Sequence, residues 1–159
     1  MFGKVKKWLG IEGVKLELEL PEMAFEEVGA VSGQIVFHSK HAQTVTSIRV
    51  VMIERYTRGR GKEKLIDEYL LGEISLDKRI EVPAEEPISV DFTLPFEMVK
   101  APIDEFASRN FINKGIAKLA KTFRNTKSEY RIEAEAKVEG TALNPFDRKS
   151  IEIIPIGEV

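Results

Sequence analysis

The 159-residue sequence contains no cysteine and only two histidines. Without cysteine it has no disulfide framework, no thiolate nucleophile and no cysteine-based metal site. No apolar run approaches the roughly 18 residues that a membrane-spanning helix needs. Lysines also interrupt the first residues, where a signal peptide would need a continuous apolar stretch. We therefore expect a cytoplasmic protein.

The aliphatic residues favour strands over helices. Valine and isoleucine together number 29, against 11 leucines, and side chains branched at Cβ suit a pleated surface. With 43% hydrophobic and 31% charged residues, the composition is that of a globular protein. No repeat, low-complexity tract or linker divides residues 1–159, so we expect a single domain made mostly of strands.

Alternation of apolar and polar residues predicts seven to nine short strands separated by turn signals. The pattern is clearest over residues 130–138. Residues 44–56 are apolar on both faces, which predicts a central strand, and Gly72 marks a candidate bulge in the strand that returns beside it. We predict a loop over residues 140–149 and a last strand over 151–156. Such a series is typical of a β-sandwich or barrel. The alternation also implies that one face of each sheet is exposed to solvent, which favours an antiparallel sandwich.

Two amphipathic segments break this pattern, and both are basic. Residues 1–11 carry three lysines and no acidic residue, and residues 103–124 carry a helical apolar stripe that predicts one inserted helix. Such a helix packs on the sandwich, lies on an anionic membrane or seats in the groove of a partner protein. Trp8 likewise either anchors at a membrane or closes one end of the sandwich. The candidate contacts with a membrane or partner are Trp8, Lys114, Lys118, Lys121 and Arg124.

The sequence offers little for catalysis. His38 and His41 lie at a strand end, and a metal site usually needs three or four ligands. The turn Gly59-Arg60-Gly61-Lys62 lacks the earlier glycine and the following Ser or Thr of a phosphate-binding loop. A lone basic turn without interleaved aromatic residues also gives little support for nucleic-acid binding. We expect no enzymatic activity, no cofactor and no bound metal.

Several motifs occur together in a characteristic order. They are Val31-Ser32-Gly33-Gln34-Ile35, Leu94-Pro95-Phe96, the strand from Tyr130 to Val138, and Asn144-Pro145-Phe146-Asp147 followed by Ile151-Glu152-Ile153. In this order they resemble the arrestin-like amino-terminal domain, most closely the sporulation-control protein family, over about residues 1–98 and 128–158. The resemblance implies an all-β, immunoglobulin-like sandwich of two antiparallel sheets, and a scaffold or adaptor with no catalytic residues.

Two functions follow as expectations. The first is a regulatory adaptor that binds a protein partner, or a second copy of itself, through the unpaired backbone groups of an edge strand. The second is a peripheral membrane adaptor at the inner membrane face, which binds anionic lipid through the basic amphipathic segments. The sequence names neither the partner nor the strand that forms the binding edge.

Overall fold

The computed structural model describes residues 13–59, 65–98, 101–102 and 127–157, which form ten strands and no helix. The strands are β1 (Lys15–Glu19), β2 (Met23–Phe25), β3 (Ala30–His38), β4 (Gln43–Arg58), β5 (Leu65–Leu76), β6 (Ile80–Val82), β7 (Ile88–Pro95), β8 (Ala101–Pro102), β9 (Lys127–Val138) and β10 (Phe146–Ile154).

The predicted segments 1–11 and 103–124 lie outside the described residues. The inserted helix therefore stays a prediction. The same holds for the contact roles of Trp8, Lys114, Lys118, Lys121 and Arg124.

The described strands form two sheets. The small sheet has the order β1-β3-β7, and the large sheet has the order β2-β10-β9-β4-β5-β8, with β6 also paired to β4. Neighbouring strands run antiparallel except for β2, which runs parallel to β10. The predicted two-layer sandwich is confirmed, and the short parallel strand β2 is added at its edge.

The longest strand, β4, lies between β5 and β9 in the middle of the large sheet. This position was predicted from its apolar residues on both faces. Val50 and Met52 point into the core and are fully buried, while Val51 and Ile53, on the outer face, are only 7% and 6% exposed. Each large aliphatic side chain buried in this way stabilises the fold by about 1.5–3 kcal/mol.

Gly72 lies where the two sheets approach each other closely. A Cβ atom at this position would lie 2.2 Å from the carbonyl oxygen of Pro95. The register between β4 and β5 shifts beside Gly72, which confirms the predicted bulge. Just past β7, the backbone N–H of Glu97 donates to the carbonyl oxygen of Leu71 at 3.0 Å. The chain therefore passes from the small sheet to the large sheet at this point.

The last strand begins earlier than the sequence predicted. Residues 146–151 already pair with β9, although residues 140–149 were expected to form a loop. Phe146, Arg148, Lys149 and Ser150 are all exposed. Since this half of β10 buries little on either face, it lacks the alternation from which a strand is recognised.

Candidate interaction surfaces

The two histidines lie at the connection between β3 and β4. His38 Nε2 is 3.9 Å from Glu85 Oε1, and the hydroxyl of Ser39 donates to the backbone carbonyl oxygen of His41 at 2.6 Å. In the part of the chain that the structure describes, no three His, Cys, Asp or Glu side chains are grouped to hold a metal ion. His38 and His41 therefore form no metal centre with their described neighbours.

Glu54 is an inward-facing carboxylate that the sequence analysis missed. It is 0% exposed, and the hydroxyl of Ser128 on β9 donates to its Oε2. Its register partners are Tyr69 on β5 and Tyr130 on β9. Because the whole side chain is enclosed, it is a structural group and is not accessible to a substrate. Its position was readable from the sequence, since it follows Met52 at the two-residue spacing of the inner face.

Ion pairs cover the outer face of the large sheet. Arg131 Nη1 lies 2.8 Å from Glu68 Oε2, and Arg131 Nε lies 2.5 Å from Glu133 Oε2. The hydrogen bond to Glu68 is the main cause that raises the pKa of Arg131 above its usual value, while burial opposes it. Arg49 pairs with Glu73 on the same face. These two arginines and three glutamates together carry a formal charge of −1.

The sheet edges differ in how much backbone they leave open. β2 and β8 have only three and two residues. The five-residue β1 is partly closed, because the backbone N–H of Leu18 donates to Oδ2 of Asp147 at 2.9 Å. β5 is covered at Tyr69 and Leu70 by β8, and at Leu71 by Glu97. Among the described strands, β7 pairs only with β3, so its eight residues form the longest open edge.

The hydrogen-bond phase of β7 shows which backbone groups face outwards. The N–H of Phe96 donates to the carbonyl oxygen of Gly29 at 3.0 Å, and the register between β3 and β7 continues from there without a shift. In an antiparallel pair, alternate residues bond to the neighbouring strand, so the even-numbered residues of β7 bond to β3. The N–H and C=O groups of Ser89, Asp91 and Thr93 therefore point away from the sheet.

The side chains of β7 leave this edge accessible. Asp91 Oδ1 accepts a hydrogen bond from Gln34 Nε2 at 2.9 Å, and the hydroxyls of Thr93 and Ser32 lie 3.0 Å apart. Both side chains are thus held back over β3. Natural edge strands are commonly protected by lysine, bulges or shortness. β7 has no lysine, no register shift and the full length of a typical strand.

A group of exposed apolar side chains gathers at the edge strand β2. Met23, Phe25, Val28 and Ile156 are 36%, 46%, 70% and 67% exposed, and we call them the β2 patch. The N–H of Val28 donates to the carbonyl oxygen of Phe25 at 3.0 Å, and the N–H of Ile156 donates to Oε1 of Glu26 at 3.1 Å. These bonds place Val28 and Ile156 near β2, and Met23 and Phe25 share its outward face because Ala24 between them is buried.

None of the described residues forms a helix that is long and apolar enough to cross a membrane.

Comparison with known proteins identifies the relatives of this fold. The family model for Spo0M, described as SpoOM protein, matches residues 2–158. The crystal structure of Spo0M, the sporulation control protein from Bacillus subtilis, superposes with a TM-score of 0.60 at 15% sequence identity. The match covers 88% of this chain and 49% of that chain, so this chain spans about half the length of its relative. No curated protein matches the sequence. Because the family model spans nearly the whole sequence and the fold agrees, the chain belongs to the Spo0M family.

Proposed function

We propose that this chain is a regulatory, non-enzymatic adaptor that binds an extended segment of a protein partner along the outer edge of β7. The proposal rests on the edge of β7, which has eight residues and three N–H groups directed outwards in regular alternation. Membership of a family whose matched structure is titled a sporulation control protein supports a regulatory role.

Strand addition suits this edge for energetic reasons. Each of Ser89, Asp91 and Thr93 offers one outward N–H and one outward C=O group, and a partner strand would pair with them. Each such bond contributes about 0.5–1.5 kcal/mol net. Pro95 has no N–H and ends the ladder. Alternate partner side chains would pack over half-buried Val90, which faces the space between the sheets.

The charge of the described residues favours a protein partner over an anionic membrane. They include 21 acidic and 12 basic residues, a formal charge of −9. A negatively charged surface repels anionic lipid headgroups and nucleic acid. The membrane alternative depends on the basic segments 1–11 and 103–124, which lie outside the described residues.

The substitution Ser89→Pro tests the proposal most cleanly. It removes an outward N–H without breaking a bond to β3, and no described side-chain hydrogen bond involves Ser89. The matched control is Ser89→Ala, which keeps the N–H. Losing one or two backbone bonds of about 1 kcal/mol each should weaken partner binding about fivefold to thirtyfold.

The measurement is quantitative affinity capture of host proteins on the tagged chain, identified by mass spectrometry. Proteins that bind the native chain and Ser89→Ala but are lost on Ser89→Pro would support strand addition at β7. Both variants should keep the native unfolding temperature within a few degrees. If a well-folded Ser89→Pro chain retains the same partners, β7 is not the binding edge.

A further inference from the structure

β2 lies at the edge of the sandwich opposite to β7, whereas Val28 lies one residue before Gly29, whose carbonyl oxygen accepts from the N–H of Phe96 just past β7. β7 adjoins β5, since Glu97 donates to Leu71, whereas β2 lies at the other end of the large sheet beside β10. β1 of the small sheet also lies on that side, where Leu18 donates to Asp147. A partner strand paired with Ser89, Asp91 and Thr93 would therefore leave Met23 and Phe25 on β2 accessible.

The patch concentrates exposed apolar surface. Met23, Phe25, Val28 and Ile156 are four of the eight large hydrophobic side chains that are exposed among the described residues. Ala24 is buried, so the alternation along β2 turns both of its neighbours outwards. Single exposed apolar residues need no explanation, but a contiguous group marks a surface for interaction.

The surroundings of the patch are acidic. Four glutamates lie within the same two chain segments: Glu22, Glu26, Glu27 and Glu152. The two segments, residues 22–29 and 150–157, contain no basic residue, and the exposed Arg148 and Lys149 directly precede the second. Parallel pairing places Glu152 opposite Met23, directly beside the apolar surface. The complement of such a surface carries apolar and cationic side chains on one segment.

We propose that the β2 patch is a second docking surface, which binds a cationic amphipathic helix of a partner protein. Apolar residues at i, i+3 or i+4 and i+7 of that helix would contact Phe25, Val28 and Ile156. Lysine or arginine side chains beside that stripe would meet the glutamates. The acidic rim disfavours an anionic membrane as the occupant. With β7 at the other edge, the molecule would bind two partners at once.

The test uses three synthetic peptides of 14 residues and the full chain. The first peptide contains leucine at helical spacing and lysine elsewhere, the second is a scramble of the same composition, and the third has glutamate in place of lysine. Fluorescence anisotropy should show the first peptide binding at least about tenfold more tightly than the other two. Its affinity should fall as salt is added, because the attraction to the glutamates is screened.

Variants of the chain locate the binding site. Phe25→Ser and Val28→Ser should each reduce the affinity for the first peptide about fivefold or more. Glu27→Lys should also reduce this affinity and make it less dependent on salt. Leu143→Ser is the matched control, because Leu143 is 57% exposed and lies outside the patch. It should leave the affinity unchanged. Val28 lies in a turn at 70% exposure, so Val28→Ser keeps the test decisive if Phe25→Ser does not fold.

Three results would overturn the proposal. They are equal binding of the scrambled peptide, affinity unaffected by Val28→Ser and Glu27→Lys, and a dimer in sedimentation that Val28→Ser dissociates. In the last case the occupant is a second copy of the chain. Ser89→Pro should not change peptide affinity, so failure at this patch and failure at β7 are distinguishable.

Discussion

Gly33 and Gly72 lie where neighbouring segments approach closely: Gly33 meets β1 and β7 within its own sheet, and Gly72 meets the end of β7 in the other sheet. A Cβ at Gly33 would lie 2.7 Å from the carbonyl oxygen of Glu19 and 2.9 Å from Cζ of Phe92. The sequence indicated a bulge at Gly72. It could not identify the neighbouring atoms, since these depend on strand register and on how the second sheet packs. The close approach at Gly72 therefore became visible only in the structure.

The substitution Gly72→Ala should destabilise the fold by about 1–3 kcal/mol. The added methyl group meets a backbone oxygen at 2.2 Å and two atoms of Phe96 at 3.2 Å, so the sheets must separate. Gly140→Ala is the comparison, because Gly140 has open space around it and a positive φ of 82°. Gly140→Ala should lower the free energy of unfolding by only about 1 kcal/mol, from backbone strain alone. Urea unfolding of both variants measures the difference, and equal costs would contradict the close approach.

Strands long enough to show a repeating buried face were predicted from the sequence, and the shortest or mostly exposed segments were not. β4 and β9 were recognised from their apolar residues, and both lie in the middle of the large sheet. β2 and β8 have three and two residues, which is too short for a period to be seen. The first half of β10 buries little on either face. In these elements the pairing with a neighbouring strand, rather than local pattern, determines the structure.

An ion pair connects the beginning of β6 with the end of β9. Arg79 directly precedes β6 and Glu139 directly follows β9, and Arg79 Nη1 lies 3.1 Å from Glu139 Oε2. The hydrogen bond from Arg79, followed by its charge, lowers the pKa of Glu139 below its ordinary value of 4.5. A carboxyl group whose pKa is lowered in the folded state stabilises that state at pH values above its ordinary pKa. This contribution is lost as the pH falls through the lowered pKa.

The substitution Arg79→Gln should therefore return the pKa of Glu139 towards 4.5. The stability at neutral pH should change little, because both side chains are well exposed and solvent screens their attraction. NMR titration of the Glu139 carboxyl measures the effect, with Lys78→Gln as a charge-matched control. A Glu139 pKa that is the same in the native chain and in Arg79→Gln would show that the ion pair does not persist in solution.

Taken as one molecule, the sandwich presents different chemistry on opposite edges. β7 offers backbone groups, and the β2 patch offers apolar side chains among glutamates. Charge patterning in the sequence directed attention to Trp8, Lys114, Lys118, Lys121 and Arg124, which remain predictions. It could not indicate β7, because which strand is an edge depends on the order of strands in the sheet. The topology, more than any local motif, therefore defines the candidate surfaces.

Amide hydrogen exchange in β7, measured by NMR for the isolated chain and for its complex with a captured partner, is the sharpest test of strand addition at this edge. In the isolated chain, Ser89, Asp91 and Thr93 should exchange quickly, while Val90, Phe92 and Leu94 should be protected by β3. In the complex, the first three amides should become protected as the partner strand pairs with them. If they still exchange quickly in a saturated complex, the claim that β7 binds by strand addition is contradicted.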